Sequence, residues 1–292
     1  MVAPLARSVL LRLADSRTLE RTVRVLPLGE SFAYRRARRY VAGRIAEDAL
    51  ACARELHGHG VAASIDLVGG SVDDARQGEA ATAAYIHLAR RLGEVPQGTY
   101  LSIDLSRIGL DGSPRECRAR LERIAGSLPA GSAIQVNAEE ARRAQMICDT
   151  VLALASDGLP IWATLQANLR RSPRDAERLV AGGVPVRLVK GAYLEDSEEA
   201  LQWGEPTDRA YRKLARTLHA GGATLGLATH DGRLRDELLS ALPGSQIEML
   251  LGVRLEEARE LAGSGVPVRV YVPYGPGWFR YAMRRLAESR GG

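Results

Sequence analysis

At 292 residues, with 46% hydrophobic and 26% charged side chains and a formal net charge of +5, the chain has ordinary globular composition and enough length to bury a large core. No apolar run approaches the roughly 18 residues that cross a bilayer, and the N-terminus lacks the apolar region and cleavage site of a signal peptide. The three cysteines, Cys52, Cys117 and Cys148, are widely spaced in helical-looking sequence, which argues against a disulfide framework or a Cys-ligated zinc and for a reducing, cytoplasmic compartment.

The first forty residues read as helices. They contain the one dense basic cluster, Tyr34-Arg35-Arg36-Ala37-Arg38-Arg39-Tyr40, which reads as a solvated helix face or as a peripheral patch for anionic lipid or another acidic partner. No nucleic-acid partner is expected. From there, short β-rich runs alternate with Arg/Glu/Ala/Leu stretches whose apolar residues recur at helical spacing. The expected strands are 63–67, 100–105, 133–136, 161–165, 186–189, 224–228, 247–251 and 268–272. Amphipathic helices such as Pro173–Ala181 and Leu255–Ala262 lie between them, each with a glycine near its C-terminal end.

Eight strand–helix units in roughly 250 residues predict an α/β fold, a closed (β/α)8 TIM-like barrel with additional N-terminal helices. Residues 1–40 are expected to form the helical segment and 41–292 the barrel, within one domain overall. A doubly wound open sheet is the alternative.

A barrel of this kind places chemistry at the C-terminal ends of its strands. Polar residues collect there: Asp66, Asp104 with Ser106, Asn137 with Glu139, Gln166 with Asn168, Lys190 with Tyr193, and Thr229-His230-Asp231. Arg187 differs, because it lies within its strand and points into the barrel, where an isolated charge costs several kcal/mol unless it is paired or meets a ligand. The five histidines do not converge at metal-ligand spacing, and no H-E-x-x-H or G-x-S-x-G pattern is present, so neither a metal site nor a hydrolase is expected. Val68-Gly69-Gly70 reads as a tight turn rather than a phosphate loop.

The remaining amides, hydroxyls and cations suit a bound dinucleotide that brings its own chemistry. In the C-terminal helix Tyr281 and Arg284 share a face and Arg285 projects about 100° away. Two guanidinium groups beside an aromatic ring can clamp a carboxylate, unless they are only a charge pair favourable to the helix dipole.

Taken together, 165–171 (LQANLRR), 186–193 (VRLVKGAY), Ala228-Thr229-His230-Asp231, 269–275 (RVYVPYG) and Tyr281-Ala282-Met283-Arg284-Arg285 resemble the proline dehydrogenase family in its short monofunctional bacterial form. The resemblance implies FAD held by Gln166, Arg187, Lys190, Gly191, Ala192, Thr229 and His230, with Arg187 near the flavin N5 edge. It also implies a small cyclic amino acid whose carboxylate meets Arg284 and Arg285 and whose ring lies between Tyr271 and Tyr281. Oxidation of the C–N bond of L-proline to 1-pyrroline-5-carboxylate, by hydride transfer to flavin N5, would pass electrons to a quinone or another acceptor.

Three positions depart from the family pattern: Asp104 stands where a lysine is usual, Asn137 where an aspartate is usual, and Gly70 where a glutamate is usual. Asp104 is therefore assigned to the substrate and Asn137, with Arg187, to catalysis. Either Asp104 pairs with Arg284 or Arg285 and proline still binds, or it recognises an extra amine, hydroxyl or N–N function on a modified substrate. A further alternative is a non-catalytic flavin-binding partner protein.

Overall fold

The computed structural model describes residues 22, 29–70, 72 and 74–289. Eight parallel strands close on themselves in sequence order: β1 (Ala62–Leu67), β2 (Tyr100–Ile103), β3 (Ile134–Val136), β4 (Ile161–Gln166), β5 (Val186–Val189), β6 (Leu225–Ala228), β7 (Gln246–Leu250) and β8 (Val268–Tyr274). Helices α1 (Gly29–Ala37) and α2 (Ala46–His57) precede β1, and the others follow their strands: α3 (Ala75–Arg91), α4 (Pro114–Ala125), α5 (Ala141–Ser156), α6 (Ser172–Ala181), α7 (Glu205–Ala220), α8 (Gly232–Ala241), α9 (Leu255–Gly263) and α10 (Trp278–Ser289). β8 pairs with β1 from Ala62 to Leu67, so the sheet is the expected closed barrel and not the open alternative.

The largest boundary differences fall on β2 and β8. β2 stops at Ile103 because the chain turns into a short 3-10 helix, Leu105–Ile108, whose two aliphatic ends are fully buried. Gly109, at φ 92°, then reverses the chain in a conformation that favours glycine. β8 runs on through Pro273 and Tyr274; Pro273 needs no donor there and its carbonyl accepts from Ala42 N at 2.8 Å.

The alternation of each strand separates two environments. Val186 and Leu188, Ile134 and Val136, and Val268, Val270 and Val272 are buried against the surrounding helices. The opposite faces turn Ser102, Gln135, Thr164, Arg187 and Glu248 into the barrel, where Gln135 of β3 and Glu248 of β7 bond across the lumen. Gly226 of β6 leaves the room for this, since a Cβ there would stand 2.6 Å from Glu248 Oε1. The main apolar core thus lies between sheet and helices, leaving a polar barrel interior.

Of the segment 1–40 assigned to helices, residues 1–21 and 23–28 lie outside the described residues. α1 packs on α10 through a buried group of Ala37, Val41, Trp278, Phe279 and Ala282, with the Tyr34 ring 5.0 Å from Trp278. Arg35, Arg36, Arg38 and Arg39 are exposed, so the basic cluster presents a solvent face. At the start of α10, Gly277 N donates to Val68 O at 3.1 Å, and a Cβ on Gly277 would stand 2.7 Å from the Gly69 Cα. That close approach seats α10 against the loop after β1.

Candidate active site

A cavity of about 1450 Å³ opens at the C-terminal ends of the strands, under α10. Every residue assigned above to catalysis, substrate or cofactor lines it. Gly70 is there too, at the end of the Val68-Gly69-Gly70 turn, where a Cβ would stand 3.8 Å from Arg280 Nη1.

Arg187 holds the floor. Its Nε donates to Thr164 Oγ1 at 3.0 Å, Nη1 to Gln135 Oε1 at 2.9 Å and Nη2 to Asn137 Oδ1 at 2.6 Å. Glu248 Oε2 lies 3.8 Å from Nη1. The guanidinium, on a residue only 7% exposed, therefore has the partners that a buried cation requires.

Asn137 is bonded at every position its amide offers. Oδ1 also accepts from Ser102 Oγ at 3.1 Å, while Nδ2 donates to Asp66 Oδ2 and to Asp104 Oδ1, both at 2.8 Å. Two donors and two acceptors exhaust a side-chain amide. The same geometry explains why two departures from the family pattern occur together. With a carboxylate at 104, an aspartate at 137 would bring a third acidic group against Asp66 and Asp104, whereas the amide donates to both. Asp104 is thus held by Asn137.

Burial, followed by the charge of Asp104, pushes the Asp66 carboxyl up to about 7. The same two causes raise Glu139 to about 7, although its Oε1 accepts from Ser106 N. Asp66 Oδ2 also accepts from the Tyr271 hydroxyl. Burial and the adjacent Asp66 charge hold that phenol well above its ordinary range.

The opposite wall comes from α10. The Tyr271 and Tyr281 rings lie 5.9 Å apart at 32°. Arg284 Cζ stands 5.5 Å from the Tyr193 ring and Arg285 Cζ 5.3 Å from the Tyr281 ring. Adjacent helical positions thus carry their guanidinium groups to different rings lining one cavity.

The other side of the cavity has the chemistry of a dinucleotide cradle. Gly191 adopts φ 112°, and a Cβ there would collide with the Asn168 amide. Asn168 Oδ1 and His230 Nδ1 are buried polar atoms with no partner among the described residues. Burial, then the charges of Arg285 and Arg254, hold His230 down near 4, so its ring is neutral at physiological pH. Lys190 sits between Asp208 at 2.6 Å and Asp231 at 3.2 Å. Asp231 in turn caps α8 by accepting from Leu234 N, which sets the Thr229-His230-Asp231 turn at the cavity edge. Gln166 Nε2 donates to the Glu139 carbonyl at 2.8 Å. These orphaned atoms, the forced glycine and the size of the cavity fit FAD.

Sequence reasoning located Asp66 and Glu139 at strand ends without assigning them roles, and it missed Gln135, Glu248 and Arg107. Glu248 carries the signal that singled out Arg187, a charged residue inside an apolar strand. Gln135 lies two residues before Asn137 on the same strand face.

A sequence profile for proline dehydrogenase matches residues 49–291. The chain is 30% identical over 260 residues to "Proline dehydrogenase 1" of Bacillus subtilis strain 168, covering 86% of each. It is 29% identical over 303 residues to "Proline dehydrogenase" of Deinococcus radiodurans, covering 99% of this chain and 96% of that one. Among solved structures, proline utilization A from Bdellovibrio bacteriovorus, inactivated by N-propargylglycine, superposes with a TM-score of 0.80 at 16% identity. That match takes in 99% of this chain, which spans 36% of the longer protein's length.

Proposed function

Because the chain belongs to the proline dehydrogenase family, we propose that it is an FAD-dependent dehydrogenase that oxidises the C–N bond of L-proline to 1-pyrroline-5-carboxylate. One observation carries this reading: Arg187, pinned by Thr164, Gln135 and Asn137, faces a cavity walled by Tyr271, Tyr281, Arg284 and Arg285. Bound FAD supplies the two-electron acceptor. Gln166, Lys190, Gly191, Ala192, Thr229 and His230 would hold it along the edge of the cavity.

The chain's own residues bind and orient. Arg284 and Arg285 take the substrate carboxylate by charge-assisted hydrogen bonds, and the two tyrosine rings limit where the pyrrolidine can lie. Arg187 places a fixed positive charge at the floor, so negative charge developing nearby meets a group that needs no reorganisation. Asn137 serves catalysis by holding that guanidinium.

The electrons pass on to a quinone or another acceptor, with the protein in the cytoplasm or against the inner face of the membrane. No helix among the described residues is long and apolar enough to cross a bilayer. A peripheral contact is supported by the exposed arginine face of α1 and by Phe32 beside it, 56% exposed.

Purified protein should be yellow, and anaerobic proline should bleach it. Arg187→Met should slow that bleaching about a hundredfold or more while flavin remains bound. Protein that binds no FAD, or a flavin that proline leaves oxidised, refutes the proposal.

A further inference from the structure

The substrate arrives as an ammonium ion, and a hydride can leave the carbon beside nitrogen only after that nitrogen has shed a proton and regained its lone pair. We propose that the Tyr271 phenol and the buried Asp66 carboxylate form the relay that removes this proton. The inference rests on proline, or another cyclic secondary amine, being the substrate.

Tyr271 lines the cavity, yet its hydroxyl donates inward to Asp66 Oδ2. The phenol oxygen therefore keeps a lone pair able to accept from the substrate as its own proton moves to the carboxylate. One N–H bond breaks and one O–H bond forms at Tyr271, while the phenol's original proton passes to Asp66. The nitrogen lone pair is then free to close the C=N bond as the hydride leaves the adjacent carbon with its electron pair, for which bound FAD would be the acceptor.

Asp66 suits a terminal acceptor because it is almost completely buried and its Oδ1 has no hydrogen-bond partner among the described residues. The charged and titratable groups facing it are Asp104 beyond β2, Arg107 in the 3-10 turn, Tyr271 and Tyr274 of β8, and Tyr85 of α3. Arg107 Nε and Nη1 are themselves buried and unpaired among the described residues, so the nearby cation tempers the Asp66 charge without fixing it in a salt bridge. Asn137 Nδ2 stabilises the carboxylate when it is empty. Burial raises the carboxyl to about 7, so both its protonated and its ionised form are populated at physiological pH.

The substitution Asp66→Asn keeps the shape. An amide oxygen at the Oδ2 position still accepts from Tyr271 and Asn137, and its NH2 takes the unpartnered side. The test compares kcat/KM for proline between about pH 6 and pH 10 in wild type, Asp66→Asn, Tyr271→Phe and Glu139→Gln. Infrared spectra of the resting holoenzyme follow the protonated carboxyl C=O band over the same range.

Wild type should lose kcat/KM as pH falls through about 7. Asp66→Asn should remove that inflection together with the Asp66 share of the infrared band, leaving the share that Glu139→Gln removes, and at pH 8 it and Tyr271→Phe should each be slower by about a hundredfold or more. Glu139→Gln should retain the inflection. An Asp66→Asn enzyme that keeps the inflection, or runs at pH 8 within about threefold of wild type, overturns the relay. If that variant loses flavin, Tyr271→Phe decides by the same threefold criterion. Wild-type flavin that proline bleaches at no pH rejects the substrate reading itself, whereas active wild type with an indifferent Asp66→Asn rejects the relay alone.

Discussion

Arg187 Nη2 donates to Asn137 Oδ1 at 2.6 Å, and the other end of the same amide donates to Asp66 and Asp104. One neutral side chain thus separates a buried cation from two carboxylates and is fully bonded to both sides. Asn137→Asp removes both donors and sets a third carboxylate against the acidic pair. The closer ion pair with Arg187 offsets only part of that loss, leaving a net destabilisation of about 2 kcal/mol. Thermal unfolding should show a larger deficit at pH 8 than at pH 6, and adding Asp104→Lys should restore most of the stability.

Arg284 and Arg285 face the cavity near different aromatic rings, so each should contribute separately to substrate binding. Arg284→Ala or Arg285→Ala should raise KM for proline by about ten- to a hundredfold, from charge-assisted bonds worth roughly 1.5 to 3 kcal/mol. Steady-state kinetics beside a thermal melt separates this from loss of the fold; an unchanged KM in both variants removes them from the carboxylate site.

Gly191 tests the cofactor edge. Its φ of 112° disfavours any side chain, and a Cβ would strike the Asn168 amide. Gly191→Ala should therefore lower the flavin absorbance per protein on purification by several-fold while leaving the circular dichroism of the barrel intact. Full flavin content in this variant would show that the turn does not touch the cofactor.

Asp66 and His230 should shift stability with pH in opposite directions. Asp66 is raised in the fold to about 7, so its contribution is complete below the unfolded carboxyl pKa and is lost as pH rises through about 7. His230 is lowered to about 4, so its contribution is complete above the ordinary imidazole value of about 6.5 and is lost as pH falls towards 4. Melting temperatures should therefore favour Asp66→Asn over wild type increasingly from about pH 5 to pH 8, and His230→Gln increasingly as pH falls from about 6.5 to 4.

Much of the architecture was legible in linear order. Eight β-rich runs, helical periodicity between them and polar residues at the run ends suffice for a closed barrel with polar groups gathered at its C-terminal mouth. The charge at Arg187 inside an apolar strand and the motif at 281–285 both fall on the lining of the cavity at that mouth. Boundaries were least legible where tertiary packing decided them, as at Leu105, which is drawn into a buried 3-10 turn instead of continuing β2.

What the order of residues determined by itself is the set of groups and the strand each one rides, because strand and helix periods are local properties of the chain. Which groups meet is a property of closure. Gln135 and Glu248 are 113 positions apart, Asp66 and Tyr271 are 205 apart, and they bond only because the β1–β8 pairing completes a cylinder narrow enough for side chains to reach each other. Asp104 and Asn137 read along the chain as two separate departures from a family pattern. The closed barrel makes them one change, since burial beside Asp66 favours an amide where a second negative neighbour has already been placed.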